Sequence, residues 1–151
     1  MKVLKTLVLI GTIFCLFFLV SCSEEQVDPP TKTQLLAGET EEGRSYFISS
    51  AEIDLDAVDG TLVLDECVTD NTIIYYPSGR YDENEGRDKC NPEDAPGQVG
   101  FWELINDDSQ ISITIDGETK IWDLESINNN SHRITTPTND GQLTFVLERF
   151  L

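Results

Sequence analysis

In the stretch Ile111-Ser112-Ile113-Thr114-Ile115-Asp116-Gly117-Glu118-Thr119-Lys120-Ile121-Trp122-Asp123-Leu124, apolar and polar residues alternate, turn once and alternate again. Ile111, Ile113 and Ile115 recur at every second position, the period of a strand with one buried face. Asp116-Gly117 is a hairpin dipeptide, because the tight turn between two antiparallel strands needs φ > 0 and these residues tolerate it. The return arm, residues 120–127, sets Trp122 and Leu124 on one side.

Outward from this hairpin the same grammar repeats. Residues 132–136 and 142–150 are β-rich and joined by a loop ending Asn139-Asp140-Gly141, another hairpin signal. Upstream, residues 99–105 place Trp102 and Leu104 on one face, and Thr72-Ile73-Ile74-Tyr75-Tyr76 precedes Pro77-Ser78-Gly79, where Pro fixes φ and Gly accepts a left-handed turn position. Arg80-Tyr81 then returns as the partner strand. Residues 45–55 read as a strand that ends in an Asp59-Gly60 turn, followed by a short apolar run at 61–64. Residues 32–37 suit one helical turn with Gly38 as its C-cap. The result is eight or nine short strands and no helix long enough for a parallel crossover, so the sheet is expected to be antiparallel. Closing such a chain of hairpins on itself removes its open edges. An all-β, up-and-down eight-stranded barrel is the expected architecture, with a β-sandwich as the alternative.

Composition narrows the function. Ten Lys and Arg face 28 Asp and Glu over 151 residues, a formal net charge of −18 with a single His. Nucleic acid is excluded as a partner, since phosphate binding needs a basic surface. One His removes the catalytic and metal sites that need two or more histidines, no Cys-x-x-Cys occurs, and no cofactor is expected.

The N-terminus reads as a processing signal. Residues 1–5 hold two lysines, and residues 7–20 form an uncharged run of 14. That is short of the ~20 apolar residues of a membrane span and fits a secretory core. It ends Leu19-Val20-Ser21-Cys22, which resembles the bacterial lipobox. The resemblance implies cleavage after Ser21 and a lipid on Cys22 Sγ. An ordinary signal peptide with an incidental Cys is the alternative. Removal of residues 1–21 leaves 130 residues with 28 acidic and eight basic side chains, a net charge of −20. Residues 22–34, with Pro29-Pro30 and no periodicity, read as a tether. The order Cys22-Ser23-Glu24-Glu25 resembles the export signal of surface lipoproteins in the Bacteroidetes. It implies an outer-membrane lipoprotein that faces the cell surface rather than the periplasm.

Residues 35–151 carry a further resemblance. Glu66-Cys67-Val68-Thr69-Asp70-Asn71, Tyr75-Tyr76-Pro77-Ser78-Gly79-Arg80-Tyr81, Glu85-Gly86-Arg87-Asp88-Lys89-Cys90-Asn91-Pro92 and Gly100-Phe101-Trp102-Glu103-Leu104 are together similar to the lipocalin-like domains of Bacteroidetes lipoproteins. Tyr46 stands where those domains usually carry the Trp that plugs the bottom of the barrel. The resemblance implies an eight-stranded barrel and no catalytic residues. Cys67 and Cys90 fit it: an exported chain permits oxidation, and a loop of this size would stabilise the fold by roughly 3 kcal/mol. Two free thiols or a metal site are the alternatives. The bond is expected to clip the hairpin of residues 72–81 to its flanks.

Other chemical signals are sparse. Ser131-His132 lacks a nucleophile elbow, so His132 reads as structural or superficial, and a hydrolase is the alternative that counting leaves open. The acidic run 82–88 resembles a calcium loop, but its glycine is misplaced and Arg87 competes for the carboxylates, so it reads as a solvated connection. Trp102, Trp122, Ile73, Tyr75, Ile113, Leu124, Phe145 and Leu147 are the expected core. Tyr75, Trp102, Trp122 and Phe145 are the expected barrel lining, in an interior expected to be mostly filled. The expected function is a non-catalytic binding module for a small hydrophobic ligand, anchored to a membrane by its lipid. The alternative is an interaction protein that meets a protein or glycan through its outer face.

Overall fold

A computed structural model describes residues 28–55, 58–93, 95–139 and 141–150. Cys22, the signal segment and the first part of the tether lie outside the described residues. The described chain runs α1 (Lys32–Ala37), β1 (Arg44–Leu55), β2 (Val58–Leu62), α2 (Glu66–Thr69), β3 (Thr72–Tyr75), β4 (Arg80–Asn84), β5 (Gly97–Ile105), β6 (Gln110–Ile115), β7 (Glu118–Ile127), β8 (Ser131–Thr138) and β9 (Gly141–Arg149).

From β3 to β9 every strand pairs antiparallel with the next, and β1 closes the ring by pairing with both β3 and β9. Eight strands therefore form a closed up-and-down barrel, and β2 is an extra strand on the far half of β1. The barrel, not the sandwich, is the fold. A bulge between Ile48 and Ser50 bends β1 enough to serve both neighbours. Closure leaves no open edge on the eight barrel strands, which suits a chain with this many short hairpins.

Asp116 (φ 52°) and Gly117 (φ 83°) make the turn that the opening stretch calls for. Asp59-Gly60 does not turn: both residues lie within β2, where Asp59 pairs with Asp54 and Gly60 with Ile53. The Leu55–Val58 pair puts that reversal earlier in the chain, because the hairpin register follows the strand pairing rather than the strongest turn dipeptide. The expected apolar strand at 61–64 is likewise shifted, since β2 ends at Leu62 and Val63 is solvent-exposed. Neither sequence pattern nor turn residues foreshadow α2.

The period-two alternation sorts the side chains. Inward positions carry Tyr46, Ile73, Tyr75, Tyr81, Trp102, Ile111, Ile113, Leu124, Ile134 and Leu147, and these form one buried cluster with Leu36 and Ala37 of α1. Of the expected core, Trp122 and Phe145 are only partly buried, packed against that cluster. On the outer face Arg133 of β8 reaches Glu52 of β1 and Glu125 of β7, each at 2.7 Å.

Candidate functional site

One end of the barrel is sealed. α1 begins with a capping box between Thr31 and Gln34 and ends at Gly38 (φ 76°). It lies against β3 and β7 and pushes Leu36 and Ala37 into the barrel. The Tyr46 hydroxyl, fully buried, donates to the carbonyl oxygens of Leu35 and Leu36, 2.9 and 3.0 Å away. Arg44 Nη1 donates to the same Leu35 carbonyl at 2.7 Å. These donors satisfy carbonyls that a one-turn helix leaves orphaned. Tyr46 thus plugs the barrel in place of a Trp. Around it His132 stands edge-on at 4.6 Å, with Tyr75 at 5.9 Å. Trp102 stands edge-on to Tyr75 at 5.4 Å, and its indole nitrogen donates to the Tyr76 carbonyl. His132 is buried with neither ring nitrogen hydrogen-bonded, and burial pulls its pKa down to about 3. The imidazole is a neutral packing element. Among the described residues neither nitrogen has a hydrogen-bond partner.

The other end holds a cavity of about 210 Å³. Cross-strand register explains its walls, because directly opposed residues share a face. Tyr75 pairs with Tyr81 and Ile73 with Glu83. Ile113 pairs with Lys120, Ile134 with Phe145 and Ile48 with Leu147. These ten residues, with Ile115 and Trp122, line the cavity. The interior thus combines a packed core with one cavity at this end. Gly100, opposite Tyr81 on β5, permits a close approach of β5 to β6: a Cβ there would lie 2.3 Å from the Thr114 carbonyl oxygen.

Of the four expected lining residues, the structure brings Tyr75, Trp122 and Phe145 to the cavity wall. Trp122 and Phe145 meet edge-on at 5.7 Å. Trp102 lies outside the wall, held down among the plug residues by its bond to Tyr76. Two charged wall residues, Glu83 and Lys120, went unrecognised in the sequence. Spacing was the available signal: Glu83 is two residues from Tyr81 and Lys120 two from Trp122, so each shares an inward face with an aromatic ring. Tyr81 donates to Glu83 Oε2 at 3.2 Å, and burial raises the phenol's pKa, so it remains a donor.

The cavity end is bracketed by the Cys67–Cys90 disulfide, which joins α2 to the segment after β4. Asp70 Oδ2 accepts from the Asp88 amide at 2.9 Å, and Asn71 Oδ1 accepts from the Gly86 amide at 2.8 Å. The bond thus ties the two flanks of the β3–β4 hairpin. Among the described residues no three His, Cys, Asp or Glu side chains are grouped to hold a metal ion.

No protein-family model and no curated protein matches the chain. Among solved structures it is similar to a lipocalin-like protein from Bacteroides uniformis, with a TM-score of 0.50 and 9% identity over 74% of this chain and 100% of that one. It is also similar to an uncharacterized protein from Bacteroides eggerthii, with a TM-score of 0.47 and 10% identity over 70% of this chain and 97% of that one. At 9% identity the first likeness is one of fold, and the fold is a lipocalin-like barrel.

Proposed function

We propose that this protein is a membrane-tethered, non-catalytic binding module that holds a small apolar ligand in the upper half of its barrel. The cavity carries the reading: about 210 Å³ bounded mainly by isoleucine, leucine and aromatic side chains. Its size limits the ligand. A dry cavity of about 150 Å³ accepts benzene, whereas sites for drug-sized molecules start near 300 Å³. The ligand is therefore a single ring or a short chain, and a full-length lipid does not fit. The lipocalin-like fold is in general one that binds rather than catalyses.

Titrating toluene into the protein and following the Trp122 indole resonance tests this reading. Saturable shifts in the wild type, abolished by Ile73→Phe with Ile134→Phe, support it. Absence of any shift overturns it. The anchor rests on the lipobox resemblance and the acidic residues after Cys22. Incorporation of labelled palmitate into the wild type and not into Cys22→Ser, with recovery in the outer-membrane fraction, is expected. Degradation by protease added to whole cells marks the surface orientation, and resistance marks the periplasmic one.

A second reading has one observation in its favour. Val99 (60% exposed) and Phe101 (71%) stand side by side on outward positions of β5, and exposed apolar side chains of this kind can meet partners. A protein or glycan retained by the cavity-filled variant but lost by Phe101→Ser supports this outer-face function.

A further inference from the structure

Two opposite charges enter the cavity wall where an apolar pocket would do without them. Glu83 of β4 and Lys120 of β7 both line it, with β5 and β6 between their strands, so they approach it from different walls. Neither is in an ion pair among the described residues. Lys120 is exposed and Glu83 half-buried, so both charges are met by water in the free protein and both remain available to a ligand at the cavity mouth. One face of the Glu83 carboxylate is held by the Tyr81 hydroxyl at 3.2 Å, which fixes the group while leaving Oε1 for a ligand. Ile73 stands directly opposite Glu83 and Ile113 opposite Lys120 in the strand ladder, and Phe145 and Leu147 add to the apolar wall. The rim adds Gln98, Asp116 and Glu118 beside Lys120.

A ligand with one charge would satisfy one wall and be repelled by the other. A neutral ligand would use neither charge. A ligand with both charges at one end and an apolar body meets every group present: a cationic nitrogen toward Glu83 and the aromatic faces, a carboxylate toward Lys120, and a side chain in the lower cavity. We propose, building on the binding reading above, that the cavity selects a small zwitterion of the apolar α-amino acid type. Side chains the size of leucine or phenylalanine fit the volume.

Four probes of one shape decide it by calorimetry on the full-length protein: L-phenylalanine, 3-phenylpropanoate, phenethylamine and ethylbenzene. L-Phenylalanine is expected to bind at least about tenfold more tightly than each of the other three, the worth of one net charge-assisted contact. Lys120→Met is expected to bring L-phenylalanine down to the level of phenethylamine, and Glu83→Gln, which still accepts from Tyr81, down to that of 3-phenylpropanoate. If ethylbenzene binds as tightly as L-phenylalanine, this inference falls while the apolar-ligand reading stands. If either singly charged probe binds tightest, it falls in favour of that charge. If none of the four binds, both readings fall.

Discussion

The sealed and open halves of the barrel are built from the same inward-facing strand positions, and they differ in what each position carries. In the sealed half rings meet edge to edge: Tyr46 on His132, Tyr75 on Trp102, with hydroxyl and indole donors spent on backbone carbonyls. In the open half Trp122 and Phe145 are only partly buried, and two wall residues are charged. Well-packed rings stabilise by dispersion and burial, and losing them leaves a void that the neighbours cannot fill. A pre-existing cavity has already given that up. The contrast assigns stability to the base and recognition to the mouth, so the two should respond to mutation in opposite ways.

The largest effect is expected at the plug. Tyr46→Ala removes a fully buried ring and leaves the Leu35 and Leu36 carbonyls without their phenol donor. Aromatic-to-alanine changes in cores cost about 3–5 kcal/mol, read here as a lower denaturation midpoint. Tyr46→Phe isolates the hydroxyl and should cost about 1–3 kcal/mol. Toluene affinity should be unchanged in Tyr46→Phe. A loss of affinity there would show that base and mouth are not separable.

Next comes the clamp at the mouth. Replacing Cys67 and Cys90 together by Ala should lower stability by about 3 kcal/mol in the chain-entropy picture. The loss has a location: amide exchange should rise first around Cys67 and in the loop holding Gly86 and Asp88, which the disulfide and two side-chain bonds tie together. Faster exchange centred on Tyr46 instead would contradict the division into halves.

Much of this was legible in the residues. Alternation at Ile111, Ile113 and Ile115 and the Asp116-Gly117 turn report directly on a half-buried hairpin, because period and turn chemistry are local properties. The barrel followed from hairpin after hairpin with no helix between. Less legible were features set by register between distant strands. Asp59-Gly60 has the chemistry of a turn, yet pairing with β1 holds it in a strand. Glu83 read as part of an acidic loop because nothing local says that Ile73 opposes it across β3 and β4. His132 left both a structural and a superficial reading open for the same reason: its burial comes from Tyr46 and Tyr75, 86 and 57 positions away in the chain.

A pH-dependent effect, absent near neutrality, is expected from His132. Its pKa is about 3 in the fold against an ordinary value of 6.5. Between those values the unfolded chain binds a proton that the native chain refuses, so stability is full above about pH 6.5 and falls as pH falls toward 3. The slope is about 1.4 kcal/mol per pH unit in that window. Carboxylates add their own slope, since the Arg133 guanidinium holds Glu52 below the usual range. His132→Phe separates the two. The wild type should lose stability more steeply than the variant between pH 6 and pH 4, and the curves should run parallel above pH 7. Parallel curves throughout would mean that the ring is hydrated or paired in solution.

The smallest stability change is expected where the sequence change is bulkiest. Ile73→Phe with Ile134→Phe inserts two rings into the cavity, and both positions are buried wall residues. In a filled core such additions cost about 1–3 kcal/mol through strain. Here the added carbons enter existing space and recover contacts, so the net change should stay within about 1 kcal/mol of zero. Binding, by contrast, should vanish, because the ligand and the new rings claim the same volume. Urea denaturation and toluene titration on the same sample read both quantities. A loss of 3 kcal/mol would mean that the upper half is already packed and that its walls do not yield to a guest.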